Sequence, residues 1–264
     1  MFDLAALETE LAGTIFAGKL HFSRITGSTN SDALAAARMG APHGSVYFSD
    51  EQLAGRGRGD HGWISAAGEG LYLSVLLRPQ IPAARLALLP FAAGLAAADA
   101  IRAVSSLDVD LRWPNDLLIG PRKAGGILVE SQIYSKGLPH AVVLGIGINV
   151  HQRAFPPELA TPATSLDLET NRHIARQDLL LALLKSLQRE TLALASPDAA
   201  KEIAVRVENA STWIRGRRVD VHGPQACSGV TAGLDENGFL RVATAAGIVT
   251  VQTGGLRKEP ASGC

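Results

Sequence analysis

Gln52-Leu-Ala-Gly-Arg-Gly-Arg-Gly-Asp-His-Gly-Trp63 joins two strand-like runs, residues 45–49 and 70–78, with no helical pattern between them. A doubly wound parallel sheet needs a crossover helix between consecutive strands, so this connection breaks the β-α-β rhythm and points to an α+β fold. The segment is also chemically unusual. Its glycines accept positive φ and allow close backbone approach, while Arg56 and Arg58 put two cationic forks on that backbone. Such a loop suits phosphate or carboxylate recognition, and taken alone it reads equally as a solvated connector. The G-x-G-x-x-G spacing fails at Asp60, and no G-x-x-x-x-G-K-[ST] occurs, so neither a dinucleotide fingerprint nor a Walker-type ATP site is present.

Outward from the loop, Leu4, Leu7 and Leu11 repeat at helical spacing, and residues 20–24 alternate as a strand. Thr26-Gly-Ser-Thr-Asn-Ser-Asp32 then leads into an Ala/Leu-rich helix through about Met39, with Ser28 or Thr29 placed to cap it. Residues 83–104 predict the longest helix, which Pro90 kinks or shortens by its first turn. Strand-like runs follow at 109–113, 117–119, 126–133 and 141–148, then a Pro- and Thr-bearing loop at 151–175, then helices at 177–194 and 198–208. Composition changes near Thr212. Short alternating runs at 218–222, 229–234, 239–243 and 247–252 come after it, with Asn237-Gly238 as a hairpin signal. The expectation is a main domain over 1–211 and a small β-barrel over 212–264.

Hydrophobic residues make up 47% of the 264 and charged residues 19%, enough to build a core. Lys plus Arg and Asp plus Glu number 25 each, so no excess of charge points to nucleic acid or an anionic membrane. The uncharged run 86–98 contains Pro90 and falls short of the ~20 apolar residues of a membrane span, and the first residues lack a basic secretory n-region. A cytoplasmic protein is expected. Cys227 and Cys264 offer neither a disulfide framework nor zinc spacing, the seven histidines show no H-x-x-x-H pattern, and no G-x-S-x-G elbow occurs.

Three further segments carry polar residues among strands. In Arg112-Trp-Pro-Asn-Asp116 the proline forces Trp113 extended and turns the chain, leaving Asn115 and Asp116 to hold a ribose, a metal or an amine, or simply to make the turn. Arg122-Lys-Ala-Gly-Gly-Ile-Leu-Val-Glu130 sets Lys123, one of only six lysines, at the mouth of an apolar strand. Gly145-Ile-Gly-Ile-Asn-Val150 is a strand with glycines on one face, a pattern of close approach by another backbone or a ligand, and Asn149 is its candidate polar residue.

Taken in order, Ser28-Thr-Asn30, Gly55-Arg-Gly-Arg58 with Trp63, Trp113-Pro-Asn-Asp116, Lys123-Ala-Gly-Gly126 and Gly145-Ile-Gly-Ile-Asn149 resemble biotin protein ligase, from about residue 20 to 257. The resemblance implies a catalytic domain of the fold shared with class II aminoacyl-tRNA synthetases and lipoate ligases, plus a C-terminal SH3-like barrel. It implies activation of biotin by MgATP as biotinyl-5′-AMP, then transfer to a lysine of a biotin carboxyl carrier domain, typically of acetyl-CoA carboxylase. By the same resemblance Ser28, Thr29, Asn30, Gln52, Arg56, Gly57, Arg58 and Lys123 match biotin contacts. Trp63, Asn115, Asn149 and the loop 163–166 fall where nucleotide contacts are expected, with Arg56, Arg58 and Lys123 supplying charge. Lys123, Arg58 and Asp116 are the catalytic candidates, Asp116 by orienting the acceptor amine, by taking its proton or by touching magnesium; no resident protein-held metal is expected. The glycine loop is expected to order over the adenylate, Arg58 retaining it.

Three departures stand out: His61 where the family has Arg two residues before the Trp, Arg112 for the Lys before Trp-Pro-Asn-Asp, and Lys-Ala-Gly-Gly for Lys-Leu-Ala-Gly. His61 bears on how firmly the loop closes. About twenty residues precede the first family-like segment, too few for a three-helix DNA-binding module, so repression is not expected. A lipoate ligase or lipoyl transferase, and a non-catalytic biotin-binding protein, are the alternatives. The resemblance fits either a monomer or a homodimer.

Overall fold

The computed structural model of the chain describes residues 2–59, 61–81, 83–133 and 139–258. In chain order the first sheet is built from β1 (Leu20–Thr26), β2 (Ser45–Gln52), β3 (Gly70–Leu77), β4 (Asp110–Arg112), β5 (Asp116–Ile119), β6 (Arg122–Ile133) and β7 (Pro139–Asn149). They form a seven-stranded mixed sheet in the order β1-β2-β3-β7-β6-β5-β4, with β1 and β2 parallel and every other pair antiparallel. The glycine loop does link antiparallel neighbours, as its lack of a crossover helix requires. The fold is α+β.

Period-two alternation divides the sheet's faces. Leu71, Leu73, Val75 and Leu77 of β3, with Val142, Leu144, Ile146 and Ile148 of β7, belong to the main core. There they join α3 (Leu89–Ser105) and α5 (Arg176–Ala193), which pack on each other, Leu183 of α5 being fully buried in the same core. On the opposite face Leu76 and Val143 meet Ala33 and Ala37 of α2 (Thr29–Arg38). That face is only partly roofed, because beyond α2 the strands present Ser74, Gly145 and Gly147. A single 12-residue strand thereby carries both Lys123 and Glu130.

Pro90 takes the start of α3 and a separate 3-10 turn, Ala83–Leu88, precedes it, so the proline splits off the first turn and leaves the helix unbroken. The run Arg85–Ser105 is long and apolar enough to cross a membrane by length and composition, yet 61% of its most apolar 18-residue window is buried within the protein as part of the core. Two expectations are corrected. The loop at 151–175 contains a short helix, α4 (Leu166–Thr170), started by Ser165, whose side chain accepts from the Leu168 N–H. Ser28 stands at the N-cap of α2 but makes no side-chain capping bond, and it is Gln52 Oε1 that accepts from the Thr29 N–H at 2.9 Å.

After α6 (Ala199–Asn209) come β8 (Arg215–His222), β9 (Cys227–Leu234), β10 (Leu240–Thr244), β11 (Gly247–Val251) and β12 (Gly255–Lys258), an antiparallel sheet in the order β11-β10-β9-β8-β12. It is consistent with an SH3-like barrel and has one strand, β12, more than the four expected. The Asn237-Gly238 hairpin exists, but the Gly238 N–H bonds to the Asp235 carbonyl at 3.0 Å and only Gly238 has positive φ, so the loop is wider than a two-residue turn. Cys227 has a free thiol, and Cys264 lies outside the described residues.

Candidate functional site

A cavity of about 720 Å³ opens on the partly roofed face of the first sheet, lined by Ser28, Thr29, Asn30, Gln52, Arg56, Gly57, Arg58, Trp63, Asn115, Asp116, Lys123 and Asn149, every candidate that the sequence named singly. Of the 163–166 loop Ala163 lines it while Thr164, Ser165 and Leu166 are buried and do not, and the turn from Thr253 to Leu256 adds to its wall.

One end is a neutral hydrogen-bonded floor. Gln52 Oε1 accepts from both the N–H and the hydroxyl of Thr29, at 2.9 and 3.1 Å, while its Nε2 donates to Ser65 Oγ at 2.8 Å. Ser74 Oγ reaches Asn30 Oδ1 at 2.5 Å and Thr29 Oγ1 at 2.8 Å. Gly145 sits under Asn30 for a steric reason: a Cβ there would lie 2.2 Å from Asn30 Oδ1. A Cβ at Gly147 would lie 2.6 Å from the Trp63 indole, so the two bare positions on β7 admit one side chain each.

The other end is ionic. Asp116 of β5 bridges a cation from each neighbouring strand: one oxygen meets Lys123 Nζ of β6 at 2.5 Å, the other Arg112 of β4 at 2.5 and 3.0 Å. Burial opposes the charge on Asp116, but Lys123 and Arg112 outweigh it and hold the carboxyl below its ordinary range. Arg112 and Arg217 both lie over the Trp213 ring, with guanidinium-to-ring distances of 5.2 and 3.8 Å. Lys123 Nζ lies 5.4 Å from the Trp63 ring. The 163–166 loop docks on the same lysine by backbone: Lys123 N–H donates to the Pro162 carbonyl at 2.8 Å and Thr164 N–H to the Lys123 carbonyl at 2.9 Å. Asn149 Nδ2 donates to the Thr164 carbonyl at 2.9 Å, and Asn115 Nδ2 to the Ile127 carbonyl at 2.6 Å.

The glycine loop folds on itself. Arg56 and Gly62 form an antiparallel bridge, and the Gly57 N–H donates to the His61 carbonyl at 2.7 Å, so His61 serves the loop through its backbone. The two loop arginines have different partners. Arg56 makes a two-pronged pair with Glu130 at 2.8 and 3.0 Å. Arg58 donates to Thr253 Oγ1 and to the Gly254 carbonyl of the second sheet, both neutral acceptors, and burial lowers its pKa.

Glu130, Arg112, Ser65, Ser74 and Thr253 escaped the sequence reading as site residues. Glu130 and Arg112 did lie inside quoted motifs; the others carry no local signal. The histidine spacing also missed a group, since His151 and His173 stack at 4.3 Å and their Nδ1 atoms lie 2.9 and 3.4 Å from Asp167 Oδ2. This is the one group of His and acidic atoms among the described residues with metal-ligand proximity, and none of the three lines the cavity.

Residues 23–149 match the model of the biotin/lipoate A/B protein ligase family. The bifunctional ligase/repressor BirA of Bacillus spizizenii is 36% identical over 185 residues, 69% of this chain, and the chain spans only 55% of that protein's length. The biotin–[acetyl-CoA-carboxylase] ligase of Mycobacterium tuberculosis is 36% identical over 244 residues, 87% of this chain and 85% of that one. In three dimensions, the Aquifex aeolicus biotin protein ligase solved with biotin and ATP superposes with a TM-score of 0.78 at 30% identity, over 92% of this chain and 100% of the other. With its sheet order, its glycine loop and these likenesses in hand, the chain belongs to the biotin/lipoate A/B protein ligase family, among the biotin protein ligases.

Proposed function

We propose that the chain activates biotin with MgATP as biotinyl-5′-AMP and passes the biotinyl group to a lysine of a biotin carboxyl carrier domain of acetyl-CoA carboxylase. The observation that carries this is the charge at the ionic end: Arg58, Arg112 and Lys123 face a single carboxylate, Asp116. A site with surplus positive charge beside a neutral floor suits two anions brought together.

A biotin carboxylate oxygen attacks the α-phosphorus. The bond to the β-phosphate breaks and its electron pair leaves with pyrophosphate. The neutral amine of the acceptor lysine then attacks the acyl carbonyl, AMP leaves with the electrons of the C–O bond, and the nitrogen loses one proton to the departing phosphate or to solvent. Lys123 and Arg58 stabilise charge on the carboxylate and phosphate. Because Arg58 is half-buried and, among the described residues, hydrogen-bonded only to neutral groups, an anion gains more beside it than beside an exposed arginine. Asp116, held ionised between two cations, orients Lys123 and is a poor proton acceptor at neutral pH. Ser28, Thr29, Asn30, Gln52 and the Gly57 backbone form the biotin end; Trp63, Asn115 and Asn149 with the 163–166 loop form the nucleotide end. Arg56 contributes through its backbone, since Glu130 holds its guanidinium.

Magnesium fits only as part of the substrate. Asp116 is the sole carboxylate among the described residues lining the cavity, and both of its oxygens are in ion pairs. The chain divides, in this reading, into a catalytic unit over 1–211 and an SH3-like unit over 212–264, and it works in the cytoplasm with its carboxylase.

The test is to incubate the protein with MgATP and either biotin or lipoate, without acceptor, and to assay acyl-adenylate and pyrophosphate. Biotinyl-AMP that disappears in Lys123→Ala is the expected result. Lipoyl-AMP instead transfers the chain to the sister activity, and biotin binding with no pyrophosphate makes it a binding protein.

A further inference from the structure

Glu130 lies further along β6 than Lys123 and shares its strand's cavity-side register, pairing with Val143 as Gly126 and Leu128 pair with Gly147 and Gly145. One carboxylate oxygen accepts from Arg56 at 3.0 Å; the other accepts from Arg56 at 2.8 Å and from Asn30 Nδ2 at 2.7 Å. One side chain therefore joins three segments distant in sequence: the root of the glycine loop, the first turn of α2 and the strand that bears Lys123.

An ionised carboxylate only accepts hydrogen bonds, so it dictates which end of a neighbouring carboxamide faces it. Asn30 must turn its NH2 toward Glu130, and its Oδ1 is thereby left on Ser74, above the bare Gly145. The same carboxylate neutralises Arg56, whose cation would otherwise compete with Lys123 and Arg58 for an incoming anion. We propose that Glu130 is a positioning residue for the acid-binding half of the reaction: it fixes the polarity of the Asn30 amide in the floor and pins the glycine loop at its root. Its kinetic signature rests on the biotin-ligase reading; its hold on the loop does not.

Glu130→Gln keeps the shape but presents an amide in place of the acceptor-only group. Its biotin KM rises about tenfold, a moderate effect because Arg56 is 41% exposed, while the ATP KM and the kcat for adenylate formation stay within about threefold. A scaffold residue would instead lower kcat and move both KM values together. In the absence of ligands, trypsin cleaves after Arg58 faster in Glu130→Gln than in wild type, because the loop root is released. Arg56→Met reads the same contact from the loop side and covers the case in which Glu130→Gln does not fold. The double variant has a biotin KM no higher than the worse single one. Wild-type KM for biotin together with wild-type cleavage in both single variants overturns the proposal. If the wild-type protein makes no biotinyl-AMP, the ligase reading fails, and unaltered cleavage of the variants overturns the clamp independently.

Discussion

Lys123 Nζ and the Asp116 carboxylate lie 2.5 Å apart across the β5–β6 pairing, and the same carboxylate holds Arg112 on its other oxygen. Removing its charge leaves two cations facing each other in a site where Arg112 is 8% exposed. Asp116→Asn is therefore expected to destabilise the fold by on the order of 2 kcal/mol, below the ~3–5 of a fully buried pair because Lys123 keeps solvent contact. The carboxyl's folded pKa is depressed from 3.8, so its contribution is present above that value and is lost as pH falls through the lower folded value. Melting temperatures of wild type and Asp116→Asn should differ at pH 7, and the gap should begin to narrow only as the pH falls below 3.8 and close once it is below the folded value. A gap that widens in acid would show that Asp116 is not the stabilised anion of the pair.

Arg58 ties the glycine loop to the second sheet through Thr253 and Gly254. Thr253→Val removes one acceptor of a charged donor and leaves the other, which costs about 1.5 kcal/mol of closure. Biotinyl-AMP is expected to dissociate roughly tenfold faster, measured by chasing preformed complex with unlabelled biotin. Arg58→Gly, which removes both contacts and the charge, is expected to release more and to label bystander proteins. An unchanged off-rate in both variants would falsify the retention role.

Gly145→Ala places a methyl 2.2 Å from Asn30 Oδ1, and β7 is flanked by strands on both sides that resist its retreat. Asn30 must leave Ser74. The biotin KM is expected to rise by at least tenfold while ATP affinity changes little. Gly147→Ala instead displaces Trp63, so its effect falls on ATP, and the indole fluorescence shifts to the red as the ring moves toward water. Identical changes from the two variants would contradict a cavity divided into two ends.

Gly94 lies inside α3, and a Cβ there would meet Leu111 at 3.4 Å and Ile127 at 3.7 Å, ordinary contacts. Gly94→Ala should thus gain helix propensity without a clash and stabilise the protein by about 0.5–1 kcal/mol. A rise of about 1–3 °C in thermal midpoint checks it, and a fall would mean that the α3–β4 packing has no room for a methyl.

Whether a feature was legible in the sequence follows from how local its cause is. The split at Pro90 and the strand pattern of β3 and β7 come from backbone chemistry and alternation over a few residues, and these stand as read. α4 and β12 are only 5 and 4 residues long, too short for a periodicity, and they exist because neighbours receive them. The candidate site residues were named from the order of their motifs, which resembles that of biotin protein ligase, and the structure gathers them around one cavity. Glu130 was not among them: its partners are 74 and 100 positions away, and no spacing rule reaches that far. Ser28 misled for the opposite reason, since its local capping grammar is overridden by the carboxamide of Gln52 arriving from β2.

The Arg58–Gly254 contact closes a separation of 196 positions along the chain. During synthesis from the N-terminus the loop, the floor and the Lys123–Asp116 pair all emerge well before the turn that hooks Arg58. A growing chain thus holds a pocket that lacks one of its fastenings. On the proposed reading, adenylate retention then needs the turn after β11 as well as the earlier segments, so premature termination just before Thr253 is expected to produce a leaky activator of biotin.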